Sequence, residues 1–143
     1  MEYALAVLQA RAPYQGDMNN LIIHPMRSNE RYLVEKLRRE TALYENIPSW
    51  SEDDEADNTV VYCAWQGDEL VATIRTRMFE HASAAFSALS LRAPEHVTGA
   101  AAVLQRACTS PGHRQLGANT VIRRHALAQA RALGMKWSVG VVE

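Results

Sequence analysis

The sequence predicts an α/β (α+β) fold, a single domain in which a mixed β-sheet is flanked by helices. Strand-like runs outnumber the two substantial helical patterns, and their order (strand, helix, hairpin, strand, helix, strand) does not repeat as a parallel βαβ array. A length of 143 residues is also typical of one domain. We therefore expect residues 1–143 to form one unit, with residues 1–20 as an N-terminal extension.

The composition is that of an ordinary globular protein, with 48% hydrophobic residues, 22% charged residues and a net charge of −1. A nearly neutral total gives no reason to expect nucleic acid or an anionic membrane as a partner. No apolar run approaches the ~20 residues of a membrane span. The first ten residues lack the basic segment that begins a signal peptide, so a cytoplasmic location is expected.

The first part of the chain predicts two helices and a short strand. Residues 1–11 place apolar side chains at helical spacing and favour a short amphipathic helix. Residues 21–24 form an apolar run suited to a strand. Ser28 is the predicted N-cap of a helix over residues 29–45, and the acidic residues that follow, 51–58, are expected to form a loop.

The centre of the chain predicts a β-hairpin. Residues 59–65 and 70–77 are rich in β-branched and aromatic residues, and the turn between them contains Gly67 and Asp68. Residues 78–98 read as a loop with a short helix before Pro94. The apolar run 100–109 favours a buried strand, although its alanines leave a helix as the competing interpretation.

The last part predicts a tight loop, a long helix and a final strand. Pro111 and Gly112 turn the chain, residues 119–133 carry a helical apolar face, and Gly134 follows as the expected C′ residue. Residues 137–142 are again β-rich. Cys63 and Cys108 have no metal-ligand spacing and lie in apolar surroundings, so we expect two buried free thiols.

The loop before the last helix is the most informative segment. The N-terminus of a helix offers unpaired N–H groups and about half a positive charge, which suits a pyrophosphate. Gly117 lets a ligand approach the backbone, and Arg114 can add a pair of donors. The alternative is an ordinary strand-to-helix turn that contains an arginine.

The spacing Pro111-x-x-Arg114-x-x-Gly117-x-Asn119 between a β-run and a helix resembles motif A of the GNAT superfamily of N-acyltransferases. The resemblance implies a mixed, mostly antiparallel sheet and a loop that binds coenzyme A. It also implies that the strand before the loop splays away from its neighbour and bonds the pantetheine arm. The implied pyrophosphate ligands are Arg114, Gln115, Leu116, Gly117, Ala118 and Asn119, and Cys108 and Thr109 are implied to lie beside the pantetheine.

The front half resembles one branch of that superfamily, the acyl-homoserine-lactone synthases and the related N-acyl amino acid synthases. There, a helix with an arginine is followed by an aromatic residue, a Glu-x-Asp-x-x-Asp stretch and a hairpin that ends in arginine. The matching positions imply a substrate-binding set of Arg39, Trp50, Asp54, Arg75 and Arg106. The acceptor-binding Glu of those enzymes is replaced here by Val103 or Leu104.

The candidate bases for an amine nucleophile are Glu55, Asp57 and His113, with Glu80 and His81 as further choices. The alternative for the acidic residues 51–58 is a solvated loop without a functional role. Cys108 as a covalent nucleophile is a second, less favoured route.

The resemblance implies an acyltransferase that uses acyl-CoA, acetyl-CoA or an acyl carrier protein as co-substrate, without a metal, and acylates an amine of a small molecule or amino acid. The alternative is a non-catalytic GNAT-like module that binds a protein partner or an acyl ligand. GNAT domains usually add a helix and two strands after the position of residues 137–142. Without them, an open sheet edge predicts a homo- or hetero-oligomer that completes the sheet.

Overall fold

A computed structural model describes residues 4–9, 20–41, 46–114 and 117–142. They form a six-stranded sheet in the order β1-β6-β5-β4-β3-β2, in which only the β5–β6 pair is parallel. The strands are β1 Ala4–Gln9, β2 Ile22–Pro25, β3 Thr59–Gln66, β4 Glu69–Phe79, β5 Ala101–Thr109 and β6 Trp137–Val142. The helices are α1 Arg31–Arg39, α2 Ala82–Ser87 and α3 Ala118–Ala132. The predicted mixed, mostly antiparallel sheet with flanking helices is confirmed.

The predicted hairpin is confirmed, and its turn is as short as the sequence indicates. Gln66 pairs with Glu69, which leaves Gly67 and Asp68 as the two turn residues. Gly67 has φ of +59°, a left-handed conformation that costs glycine little and that suits the twist of a hairpin. The strand interpretation of residues 100–109 is likewise confirmed by β5, and the short helix before Pro94 by α2.

Helix α1 is shorter than predicted and begins differently. A 3-10 turn at Ser28–Glu30 precedes it, so Ser28 is not the N-cap. Instead the Glu30 carboxylate accepts a hydrogen bond of 2.7 Å from the Arg27 amide, which satisfies one of the free donors at a helix start. The helix ends at Arg39, and residues 42–45 of the predicted helix lie outside the described residues.

The prediction of an N-terminal helix is wrong, because Ala4–Gln9 forms strand β1. It pairs antiparallel with β6 along its whole length, from Ala4 against Val142 to Gln9 against Trp137. An apolar run this short is compatible with either structure, and pairing with the edge of β6 supplies hydrogen bonds for its backbone. The outer edge of β6, expected to be open, is therefore covered by the same chain.

Two layers of helix bury the sheet. On one face, α3 packs Ile122 and Ala126 against Ile74 of β4 and Leu104 of β5, and the first three are fully buried. On the other face, α1 and α2 cover different parts of the sheet. The α1 cluster is Val34, Val61 and Cys63, and the α2 cluster contains Phe86, Val103 and Val139.

The described residues hold neither a membrane-crossing helix nor a metal-ligand cluster. None of their helices combines the length and the apolar character needed to cross a bilayer. No three His, Cys, Asp or Glu side chains within this part of the chain are grouped so that they could hold a metal ion.

Candidate functional site

A gap opens between β5 and β6 at the level where the chain enters the predicted loop. The parallel pairing runs only from Ala101 against Trp137 to Leu104 against Gly140. Beyond it β5 continues to Thr109 along β4, while β6 continues to Val142 along β1. The two strands therefore diverge, as the resemblance implies, and one edge of residues 105–109 faces a space that no described strand fills.

The main chain of Thr109 faces this gap. The amide of Ser110 donates to the Val71 carbonyl over 2.8 Å, and in the register of this pair Thr109 lies opposite Ala72. Because hydrogen-bonded and non-hydrogen-bonded residues alternate in an antiparallel pair, the N–H and C=O of Thr109 point away from β4. The N–H is directed toward a ligand that lies along β5, and the C=O accepts a long hydrogen bond of 3.5 Å from Nε of Arg114.

A β-bulge interrupts β5 just before this point. Thr73 pairs with Cys108, and Arg75 pairs with Gln105, so that one residue on β4 opposes both Arg106 and Ala107. Arg106 has φ of +53°, a left-handed conformation that costs a residue with a side chain roughly 1–2 kcal/mol. Bulges of this kind bend a strand and change the direction of the groups that follow.

The N-terminus of α3 lies directly after the loop, and no side chain caps it. Gly117 is the N-cap, with φ of +84°, and its carbonyl accepts from Val121 over 3.1 Å. The Asn119 carboxamide oxygen accepts from the Arg123 guanidinium over 3.2 Å, so it does not serve as a cap. Within the part of the chain that the structure describes, no N-cap side chain bonds the first-turn amides, which therefore suit an external acceptor. Gln115 and Leu116 lie outside the described residues.

Two polar side chains flank the loop. Arg114 is exposed, and its Nε lies 3.5 Å from the Thr109 carbonyl, which keeps the guanidinium at the mouth of the gap. His113 points the other way, toward the β3–β4 turn. Its Nε2 lies 3.1 Å from Oε1 of Gln66 and 3.8 Å from the carboxylate of Glu69.

A buried ionic cluster lies on the opposite face of the sheet from α3, centred on Asp54. Its Oδ1 accepts from Nη2 of Arg38 over 2.9 Å and from Nη1 of Arg75 over 3.3 Å, and its side chain is fully buried. Its Oδ2 accepts from the Ser51 amide over 2.9 Å and from the Ser51 hydroxyl over 3.3 Å. Burial by itself raises the pKa of Asp54, but the hydrogen bond and charge of Arg38, the Ser51 amide and the charge of Arg75 together lower it.

The arginine that reaches Asp54 from the helix is Arg38, and Arg39, which is predicted to bind substrate, lies outside this contact. Arg38 is fully buried, whereas Arg39 is exposed. Val34 and Leu37, four residues and one residue before Arg38, and Thr41, three residues after it, are buried. Arg38 therefore belongs to the buried stripe of α1, and Arg39 lies outside that stripe. That spacing was available in the sequence. Arg38 also donates to the Ser49 carbonyl over 3.0 Å.

The other substrate-binding candidates surround this cluster. Trp50 stacks beneath two guanidinium groups, with its ring centroid 4.5 Å from Cζ of Arg31 and 5.4 Å from that of Arg38. Arg75 donates to Oε1 of Gln105 over 3.0 Å. Arg106 donates to the Pro48 carbonyl over 2.8 Å. Gln105, which no sequence signal singled out, links the cluster to the bulge.

The candidate bases are not brought together. Glu55 is exposed, and its carboxylate lies 3.4 Å from Nη1 of Arg31. Asp57 is exposed in the loop after the 3-10 turn Glu52–Glu55. His113 lies at the β3–β4 turn. Glu80 and His81 are exposed before α2.

Both cysteines are buried free thiols, as predicted. Burial raises the pKa of Cys63 to about 12 and raises that of Cys108 as well, although the charges of Arg38 and Arg106 act to lower the pKa of Cys108. A thiol that stays protonated is a poor nucleophile. Cys108 therefore contributes its position beside the gap and not a reactive thiolate.

Comparison with solved structures shows a fold of the GNAT kind, although no protein-family model and no curated protein matches the sequence. A predicted acetyltransferase with acetyl-CoA from Clostridium acetobutylicum is similar, with a TM-score of 0.60, 15% identity and coverage of 86% of this chain and 81% of that chain. A GCN5-related N-acetyltransferase from Ralstonia eutropha has a TM-score of 0.60 and 17% identity, with coverage of 84% of this chain and 82% of that chain. A transcriptional regulator from Bacillus halodurans has a TM-score of 0.62 and 12% identity, with coverage of 80% of this chain and 77% of that chain.

Proposed function

We propose that this chain is a GNAT-superfamily N-acyltransferase that transfers an acyl group from a coenzyme A thioester to an amine. One observation carries the proposal: β5 and β6 separate shortly before the chain enters α3, and among the described residues no side chain caps the N-terminus of that helix. The donors of α3 suit a pyrophosphate, and the backbone of Thr109 suits the amide groups of a pantetheine arm. A similar fold in a protein solved with acetyl-CoA supports the same choice of co-substrate.

The proposed reaction is direct attack of an amine on the thioester carbonyl. Negative charge develops on the carbonyl oxygen, and a backbone N–H at the end of β5, such as that of Thr109, is suited to stabilise it. The amine must lose a proton and the thiolate must gain one. Of the three candidate bases, His113 lies nearest to the loop in sequence.

The helix N-terminus and Arg114 together form the proposed pyrophosphate site, so charge reversal at Arg114 is the sharpest test. A hydrogen bond to a charged group contributes about 1.5–3 kcal/mol, so Arg114→Glu should weaken acetyl-CoA binding roughly 10- to 100-fold. Arg92→Glu is the matched control, because Arg92 is equally exposed and lies after α2. Binding is measured by calorimetry, and equal affinity in both variants would contradict the phosphate-loop assignment.

The finer identity of donor and acceptor stays a proposal. The narrower likeness to acyl-homoserine-lactone and N-acyl amino acid synthases rests on Trp50, Asp54, Arg75 and Arg106, with Arg38 in place of Arg39. Titration with acetyl-CoA, a long-chain acyl-CoA and an acylated carrier protein separates the donors. Thiol release with separate pools of amino acids and simple amines then identifies the acceptor class.

A non-catalytic GNAT-like module is the second candidate, favoured by the separation of the three candidate bases and by the closed ionic cluster at Asp54. Such a module would bind acyl-CoA or a protein partner without releasing free thiol. Binding of acetyl-CoA with no thiol release from any amine pool would favour the module over the enzyme. An oligomer and a cytoplasmic location remain predictions, the first tested by light scattering.

A further inference from the structure

The strained residue of β5 lies between a polar pair of the buried cluster, Arg75 and Gln105, and the backbone carbonyl of Pro48. Arg106 adopts φ of +53° without being a glycine. A conformation of this cost persists only where the surroundings impose it, and such residues concentrate at functional sites. The surroundings in this case are the pair Arg75–Gln105 on one side and the Pro48 carbonyl on the other.

The link from Asp54 to the bulge is short and continuous. Asp54 accepts from Nη1 of Arg75 over 3.3 Å, and Nη2 of the same guanidinium donates to Gln105 over 3.0 Å. Arg75 and Gln105 are also the last strand partners before the register changes. Because the guanidinium is planar and its donors are fixed relative to each other, anchoring one nitrogen on Asp54 determines where the other holds Gln105.

The loop that carries Asp54 also fixes the far side of the bulge. The Ser51 amide and hydroxyl bind Asp54, the Ser49 carbonyl accepts from Arg38, and the neighbouring Pro48 carbonyl accepts from Arg106. One acidic side chain therefore organises both contacts that hold the bulged residue.

We propose that Asp54, acting through Arg75 and Gln105, is a positioning residue that fixes the β5 bulge at Arg106 and so directs the Thr109 amide into the gap. The inference rests on the proposed acyltransferase function for its consequence in catalysis, but the control of strand geometry stands apart from it. Asp54 then acts on the reaction from the face of the sheet opposite α3, without touching substrate.

The test uses Gln105, because changing Asp54 leaves buried arginines unpaired and risks unfolding. Gln105→Leu removes the acceptor for Arg75, and Gln105→Glu retains it. Asp53→Asn breaks the neighbouring Arg77–Asp53 ion pair of 3.5 Å, in which neither Gln105 nor Arg106 takes part. We expect Gln105→Leu to shift the amide NMR resonances of residues 107–109. We also expect it to lower kcat for amine-dependent thiol release roughly 10-fold, less than the 10²–10³ lost with a whole oxyanion donor.

The pattern across the variants decides between positioning and general stability. The proposal requires KM for acetyl-CoA to stay within about twofold, Gln105→Glu to restore most of kcat, and Asp53→Asn to behave as wild type. Unchanged resonances of residues 107–109 in Gln105→Leu, or an equal loss in Asp53→Asn, would overturn it. If the wild-type protein does not bind acetyl-CoA, the acyltransferase proposal fails, and the resonance shifts alone decide whether the cluster controls the bulge.

Discussion

Replacing Asp54 by asparagine should destabilise the fold more than almost any other single change to a polar residue. The carboxylate is fully buried and is bonded to two guanidinium groups and to the backbone and hydroxyl of Ser51. Asparagine has nearly the same shape, but it removes the only charge that balances Arg38 and Arg75 in this contact. It also offers an NH₂ group where one carboxylate oxygen accepted hydrogen bonds.

The magnitude follows from the burial of the pair. Removing one partner of a buried ion pair typically costs 3–5 kcal/mol, and for a domain of this size about 4 °C in Tm accompanies each kcal/mol. We therefore expect Asp54→Asn to lower Tm by roughly 12–20 °C. Asp53→Asn is the control: its carboxylate is 54% exposed in the ion pair with Arg77, and exposed pairs contribute about 0–1 kcal/mol.

Urea unfolding at pH 7 measures both variants, with the midpoints compared at an unchanged m-value. A loss below about 1 kcal/mol for Asp54→Asn, or a loss no larger than that of Asp53→Asn, would refute the view that Asp54 organises this region.

The same carboxylate predicts a pH dependence. Its pKa is lower in the folded protein than in the unfolded chain, so its ionisation stabilises the fold above the unfolded pKa of about 3.9. That contribution should be lost as the pH falls from the unfolded pKa through the lower folded value. Wild type should therefore lose more stability than Asp54→Asn between pH 5 and the acid range, and parallel curves for the two proteins would count against the assignment.

Three further outcomes test individual contacts. Gly117→Ala should lower the free energy of unfolding by about 1 kcal/mol, because φ is +84° at this position. Gly112→Ala, where a Cβ meets open space and φ is not left-handed, should be nearly neutral in the same urea unfolding experiment. Equal effects of the two substitutions would contradict the left-handed N-cap. Arg38→Met should cost about 3–5 kcal/mol and Arg39→Met little, since only the first is buried; the reverse order would contradict the burial of Arg38 in the ion pair with Asp54. A pKa of about 12 for Cys63 predicts that the thiols react with a disulfide reagent at pH 8 only once the protein unfolds, and rapid native labelling would argue against it.

The elements that the sequence predicted well are those that local chemistry specifies. The β3–β4 turn requires a left-handed backbone, which Gly67 adopts, and α3 ends at Ala132 with Leu133 as its C-cap and Gly134 following at φ of +91°. Such preferences act within a few residues of the chain, so they are legible without knowledge of the fold. The loop before α3 was found in the same way, from Gly117 and its place between a strand and a helix.

The candidate site could be predicted only in part from the sequence, because its geometry depends on pairing between strands that are distant along the chain. The choice of Arg38 over Arg39 could have been made from the spacing of Val34 and Leu37. The bulge at Arg106 could not, since it is defined by the register of β5 against β4. The role of Gln105 likewise follows from its position opposite Arg75.

Residues 4–9 show most clearly what tertiary structure alone decided. Their short apolar run fits a helix or a strand, and the open hydrogen-bonding edge of β6 makes them a strand. The same applies to the gap: β5 and β6 separate after Leu104 and Gly140 because each follows a different neighbour. Sequence determined where the β3–β4 turn, the end of α3 and the glycine loop lie, because these depend on the conformational limits of single residues. The partners of the backbone edges were decided only in the folded sheet, because every residue except proline carries the same donor and acceptor.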